Sequence, residues 1–202
     1  MFWYEEDVKL LELLKANVVE QPQLVFYGSS SIRMWNNLSN DFGEFHPINL
    51  GFGGSTMAAC VWFFDRIMVN LQPKGMIIYA GDNDLGDGRH PEEVFIFFKQ
   101  LIASIRKNYG NIPVGYISIK PSILRFNIIE QIKFTNKIIA EEIERMNDAT
   151  FFVNIYDQML DENKYPRRDL FEAEGLHING KGYALWKTII DETLASKSLH
   201  LI

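Results

Sequence analysis

Four polar clusters hold side chains that could do nucleophilic chemistry together: Gly28-Ser29-Ser30-Ser31, Asn49-Leu50-Gly51-Phe52-Gly53-Gly54-Ser55-Thr56, Gly81-Asp82-Asn83-Asp84 and Glu174-Gly175-Leu176-His177. A serine hydroxyl is a weak nucleophile until a base takes its proton. An imidazole is the usual base, and a carboxylate beside it fixes the tautomer and stabilises the imidazolium. Glu174 and His177 stand three residues apart, so one turn brings carboxylate and ring together. Acyl transfer also needs donors aimed at a developing oxyanion. A glycine-rich turn exposes backbone N–H groups, and the Asn83 amide adds a side-chain donor. The order Ser, Gly, Asn, acid, His thus supplies a candidate for each part of a Ser-His-acid site.

These clusters need a scaffold that gathers them. Five apolar runs read as short buried strands: 24–28, 47–51, 76–81, 113–119 and 150–156. Helical patterns fill the gaps. Residues 8–17 carry an apolar stripe of Val8, Leu10, Leu11, Leu13 and Leu14, and further helices are expected at about 56–70, 91–108, 128–147 and 180–196. Pro91 followed by Glu92 and Glu93 is a good helix start. Strands that are apolar throughout and alternate with helices imply a parallel sheet covered on both faces. The expected fold is α/β: a flavodoxin-like, three-layer α/β/α domain with a five-stranded parallel sheet, spanning 1–202 as one domain. Active sites of such sheets lie at the carboxyl ends of the strands. Three of the polar clusters follow a predicted strand, and the fourth precedes the last helix.

That order and context resemble the SGNH (GDSL-type) esterase and lipase family, from about Leu24 to Trp186. The family's Gly-Asp-Ser block reads Gly28-Ser29-Ser30 within FYGSSSIRMW, with Ser29 at the Asp position and Ser30 at the nucleophile position. NLGFGGST matches the glycine block, its oxyanion glycine falling on Gly54, and the Gly-x-Asn-Asp block is Gly81-Asp82-Asn83-Asp84. The final Asp-x-x-His block appears as Glu174-Gly175-Leu176-His177, followed by Ile178-Asn179 and Gly182-Tyr183. ISIKPS (117–122) and DLFEAEGLHINGKGYALW (169–186) look like a bacterial branch of that family. The resemblance implies a carboxylic ester hydrolase with Ser30, His177 and Glu174 as triad. Its oxyanion hole would be the Ser30 and Gly54 N–H groups and the Asn83 amide. It implies no metal and no organic cofactor, and a small-molecule ester as substrate: a short-chain acyl ester, a sugar acetate or a lysophospholipid. Glu174 departs from the usual Asp and is one methylene longer, so its carboxylate must fold back to reach the ring. That departure is the one feature favouring an alternative, a non-catalytic binding module with the same fold. Gly-x-Ser-x-Gly is absent, which argues against the ordinary α/β-hydrolase elbow.

Other chemistries fit less well. Gly51, Gly53 and Gly54 do not match Gly-x-Gly-x-x-Gly, and no Gly-Lys-Ser/Thr loop exists. Asp82, Asp84 and Glu93 fall at positions 1, 3 and 12 of a calcium loop, but Asp87 occupies the position that needs Gly. Asp84 reads instead as a loop anchor. His46, His90 and His200 lack the spacing of a zinc site, and Cys60, the sole cysteine, lies in the apolar run AACVWFF as a buried thiol. Arg33, Met34 and Trp35 follow the nucleophile position and either line an acyl or alcohol pocket or, for Met34 and Trp35 at helical spacing, pack in the core; Lys120, Ser122 and Arg125 read as rim residues that either contact substrate or are solvated. The 20 basic against 26 acidic residues give a net charge of −6, which disfavours nucleic acid and anionic membrane as partners. No apolar run approaches a membrane span, and the acidic start MFWYEEDVKLLELL does not read as a signal peptide, so a cytoplasmic location is expected.

Overall fold

Each apolar run becomes a parallel strand: β1 Leu24–Gly28, β2 Ile48–Gly51, β3 Gly75–Tyr79, β4 Val114–Ile117 and β5 Thr150–Val153. The computed structural model describes residues 1–16, 18 and 20–197; His200 lies outside them. Strand order is β2-β1-β3-β4-β5, and every pairing is parallel. The helices are α1 Glu5–Ala16, α2 Ser30–Arg33, α3 Leu38–Asp41, α4 Met57–Met68, α5 Asp82–Gly86, α6 Pro91–Tyr109, α7 Ile129–Met146 and α8 Gly180–Ser196.

Side chains alternate across the sheet, as a period of two requires. Val25, Tyr27, Ile78 and Tyr116 face a core shared with Val8 of α1, Phe63 and Phe64 of α4, Phe98 of α6 and Ile139 of α7. Phe26, Ile77, Tyr79 and Val153 face a second core with Trp35, Phe42 and, from α8, Trp186 and Ile190. Both faces are therefore covered, and the three-layer α/β/α architecture follows. It also explains why the strands are apolar throughout rather than alternating.

The differences from expectation have local causes. β4 and β5 end sooner than 119 and 156. After the last rung, where the Ser118 N–H bonds Val153 O at 2.9 Å, the Ser118 hydroxyl accepts the N–H groups of Ile155 and Tyr156, both at 3.1 Å. The Asn136 amide takes the Ile119 N–H and C=O in the same way, so buried chain leaves the ladder with its backbone satisfied. In α1 only Val8 and Leu11 of the expected stripe are buried, whereas Leu10 and Leu13 are each 63% exposed. Asn17, the expected end of that helix, lies outside the described residues. The four- and five-residue helices α2, α3 and α5 are too short to show a period, and the apolar pattern does not reveal them. No helix among the described residues is long and apolar enough to cross a membrane.

In this strand order the direction of winding reverses between β1 and β3, and the crevice there is where such sheets bind ligands.

Candidate active site

The register sets three of the four clusters side by side. Gly28 pairs with Gly51 of β2 on one side and with Tyr79 of β3 on the other. The Ser29 N–H donates to Tyr79 O at 2.9 Å, and the Phe52 N–H donates to Gly28 O at 2.9 Å. Two glycines make this approach possible. A Cβ on Gly28 would lie 1.9 Å from Tyr79 O, and one on Gly51 would lie 2.3 Å from Arg33 N. Ser29 precedes α2 and is buried; Ser30 is its first residue and is half-buried. Beyond β2 the chain turns at Gly54, with φ +66°, exposed and free of neighbours where a Cβ would stand.

Asn83 sits in the first turn of α5, directly beyond β3. Its Nδ2 donates to Ser55 O at 3.0 Å, and its Oδ1 accepts from Arg125 Nη2 at 3.1 Å. A guanidinium can only donate, so Arg125 fixes which end of the amide is oxygen and leaves the NH2 toward the glycine turn. Asp84 is the expected anchor. It is fully buried, accepts the Met57 N–H at 2.7 Å and pairs with Arg89 at 3.0 Å, which ties α5 to the start of α4. Burial pushes its carboxyl above the usual value.

Beneath Asn83 lies an ionic cluster that the sequence does not announce. Asp82 is buried between Lys120 and Arg125: its Oδ2 takes Lys120 Nζ, and its Oδ1 takes Arg125 Nη1 at 2.5 Å. The Tyr79 hydroxyl completes the cluster, 3.1 Å from Lys120 Nζ and 3.3 Å from Asp82 Oδ2. Lys120 is 1% exposed, so the expectation of a rim or solvated lysine is corrected: it is a buried cation held by Asp82. Burial raises the Asp82 carboxyl, but the two cations outweigh it and leave the group below its ordinary value. The signal for this cluster was faint: a lysine ending an apolar run before Pro121, and one more acid than the Gly-x-Asn-Asp block needs.

The histidine arrives from the far end of the chain. Bridge pairing of Phe171 with Ile178 closes the turn that carries Glu174 and His177. Glu174 folds back, and one oxygen, Oε1, meets both the His177 N–H at 3.0 Å and the ring Nδ1 at 2.6 Å. An ionised carboxylate only accepts, so Nδ1 is the donor in this contact, and in the neutral ring that tautomer leaves the lone pair on Nε2. The His177 backbone N–H, followed by the backbone N–H of Glu174 itself and then the ring, holds the Glu174 carboxyl below its usual value.

Two bonds place this turn. The Leu124 N–H donates to Gly175 O at 3.1 Å, linking it to the loop that carries Arg125. The Tyr183 hydroxyl, in the first turns of α8, donates to Ser31 O at 3.0 Å, linking it to α2 one residue past Ser30. The structure thus brings Ser30, Gly54 and Asn83 to neighbouring strand ends and joins Glu174 to His177. Among the described residues, no hydrogen bond joins Ser30 Oγ to the imidazole. Trp35 is core as expected, while Met34 is exposed and lines a cavity of about 580 Å³ with Glu172, Asn179 and Tyr183. Cys60 is buried, and burial pushes its thiol up, consistent with an inert side chain. His46 and His90 are exposed.

Comparison with known proteins agrees with this fold. A model of the GDSL-like lipase/acylhydrolase family matches residues 25–185. Among solved structures, a protein from Streptococcus pneumonia provisionally described as a platelet activating factor superposes with a TM-score of 0.85 at 20% identity, covering 95% of this chain and 92% of that one. A GDSL-like lipase from Bacteroides thetaiotaomicron gives 0.79 at 23% identity, covering 97% and 98%. A family 3 carbohydrate esterase from Clostridium thermocellum gives 0.68 at 15% identity, covering 88% and 96%. At these identities the likeness is one of fold. No curated protein sequence matches the chain.

Proposed function

The chain belongs to the GDSL-like lipase/acylhydrolase family, and from that premise we propose that it hydrolyses small carboxylic esters through Ser30, His177 and Glu174. The observation that carries this reading is the 2.6 Å contact between His177 Nδ1 and Glu174 Oε1, in a turn linked through α8 to the serine-bearing helix. It leaves Nε2 as the basic nitrogen. In the reaction Nε2 removes the Ser30 proton, and Oγ attacks the ester carbonyl to give a tetrahedral oxyanion. The Ser30 and Gly54 N–H groups and the Asn83 amide receive that charge. The imidazolium then protonates the departing alcohol, leaving an acyl-enzyme. A water, deprotonated by the same nitrogen, attacks the acyl carbon and releases the acid with Ser30 restored.

The non-catalytic reading rested on the longer acid at 174. Since that carboxylate reaches both the ring and its backbone N–H, the substitution no longer favours it. Release of p-nitrophenol from p-nitrophenyl acetate tests the proposal. The intact protein should turn over, and Ser30→Ala should fall to the background rate. Equal rates would remove Ser30 as the nucleophile.

A further inference from the structure

We infer that residues 1–16, which lie ahead of the family-matched region, are part of the oxyanion apparatus: Tyr4 and Asp7 clamp the glycine turn from both sides and hold the Gly54 N–H in place. This rests on the esterase reading above, and it concerns residues outside the matched span of 25–185.

The peptide that carries the Gly54 N–H lies between two others. The preceding peptide contributes the Gly53 N–H, which donates to Asp7 Oδ2 at 2.8 Å. The following peptide contributes the Gly54 C=O, which accepts from the Tyr4 hydroxyl at 3.1 Å. Both neighbours of the proposed donor are thus tied to the N-terminal segment. The ends of the turn are held by Phe52 N–H to Gly28 O at 2.9 Å and Asn83 Nδ2 to Ser55 O at 3.0 Å, but among the described residues the two glycines between them have no hydrogen-bond partner besides Asp7 and Tyr4. Two adjacent glycines have no side chains to pack, Gly54 is exposed with open space around it, and the turn's own closing bond, Ser55 N–H to Phe52 O, is long at 3.4 Å.

The clamp is itself packed and tied to its neighbours. Tyr4 is 6% exposed, and its ring stands edge-on to Phe52, with centroids 5.6 Å apart, and to Phe63 at 6.3 Å, so packing aims its hydroxyl. Asp7 lies in the first turn of α1 with Arg33 Nη1 3.9 Å away. The helix is fastened to α4 by Arg66, which bonds Glu5 and Glu12 at 2.7 Å each. Because α4 begins just after the glycine turn, α1, α4 and the turn form one braced unit. Displacement of a catalytic group by about 1 Å can cost roughly 100-fold in rate, so a turn left loose would lose much of what its donor supplies.

Tyr4→Phe removes one oxygen and keeps the ring; Asp7→Ala removes the acceptor. On p-nitrophenyl acetate, each single variant of the full chain should lose about tenfold in kcat with KM within about twofold. The double variant should approach the roughly 10²- to 10³-fold loss of a missing oxyanion donor. In NMR spectra, the Gly54 amide should broaden by exchange in the variants while amides of the α4 core keep their protection, a change that general destabilisation would not confine to the turn. Ser30→Ala measured alongside separates the two claims. Turnover indifferent to Ser30 would overturn the esterase reading and, with it, the catalytic role of the clamp. Ser30-dependent turnover left within twofold by Tyr4→Phe and Asp7→Ala, or a loss carried by KM alone, would overturn the clamp only.

Discussion

Replacing Glu174 by Gln should slow ester hydrolysis far less than the same change does in a buried triad. Amide substitution of a buried triad acid costs about 10⁴-fold because the imidazole takes the wrong tautomer. Here Oε1 also accepts the His177 backbone N–H, so in Glu174→Gln the amide oxygen should take that inward place and keep the proton on Nδ1. What is lost is the charge. Two unit charges about 4 Å apart interact by about 1 kcal/mol in water and about 4 kcal/mol near a protein surface. The Glu174 and His177 side chains are 44% and 28% exposed, so solvent discounts the upper figure. A loss near 2 kcal/mol corresponds to about 30-fold in rate. The assay is kcat/KM on p-nitrophenyl acetate, with the melting temperature as a folding control. The latter should hardly move, since the substitution is at an exposed position. A fall of 10⁴-fold would show that the amide turns its nitrogen to the ring or that the site closes over Glu174. A change below twofold would show that another group orients His177.

Asn83→Ala removes one proposed oxyanion donor and should lower kcat by roughly 10²- to 10³-fold with little change in KM, checked by steady-state kinetics; an equal rise in KM would mean that Asn83 binds substrate rather than the transition state. Asp82→Asn strands Lys120 in the interior, and breaking such a buried pair typically costs about 3–5 kcal/mol, read from urea midpoints. The sign of its pH dependence follows from the lowered Asp82 carboxyl. Its stabilisation is present above the ordinary value of 3.8 and is lost as pH falls through the lower folded value. The difference between wild-type and Asp82→Asn midpoints should therefore shrink on acidification below about pH 4; a constant difference would mean that Asp82 does not titrate with folding.

The strands and the polar clusters were legible because burial on both faces leaves uninterrupted apolar runs, and because Ser30, Gly54 and Asn83 follow three of those runs while the Glu174–His177 pair stands just before the last helix. Other features depend on partners distant in sequence. Asp82 meets Lys120 and Arg125, 38 and 43 residues away, and the local mark of Lys120, its place at the end of an apolar run, does not name the acid that lets it be buried. Tyr4 and Asp7 reach Gly54 and Gly53 across 50 and 46 residues. The apolar period of α1 identified a helix, but it did not show that Leu10 and Leu13 would stay exposed while Asp7 turned to the glycines. Period finds an element; its docking partner decides which face is used.

The claim on which the account stands is that Ser30 is the nucleophile, and covalent capture tests it most directly. The intact protein, incubated with a fluorophosphonate and digested, should yield a single phosphonylated residue, Ser30, by peptide mass spectrometry. The adduct should be absent from Ser30→Ala and should form far more slowly in His177→Ala. A phosphonyl group on any other side chain, or undiminished labelling of Ser30→Ala, would contradict it.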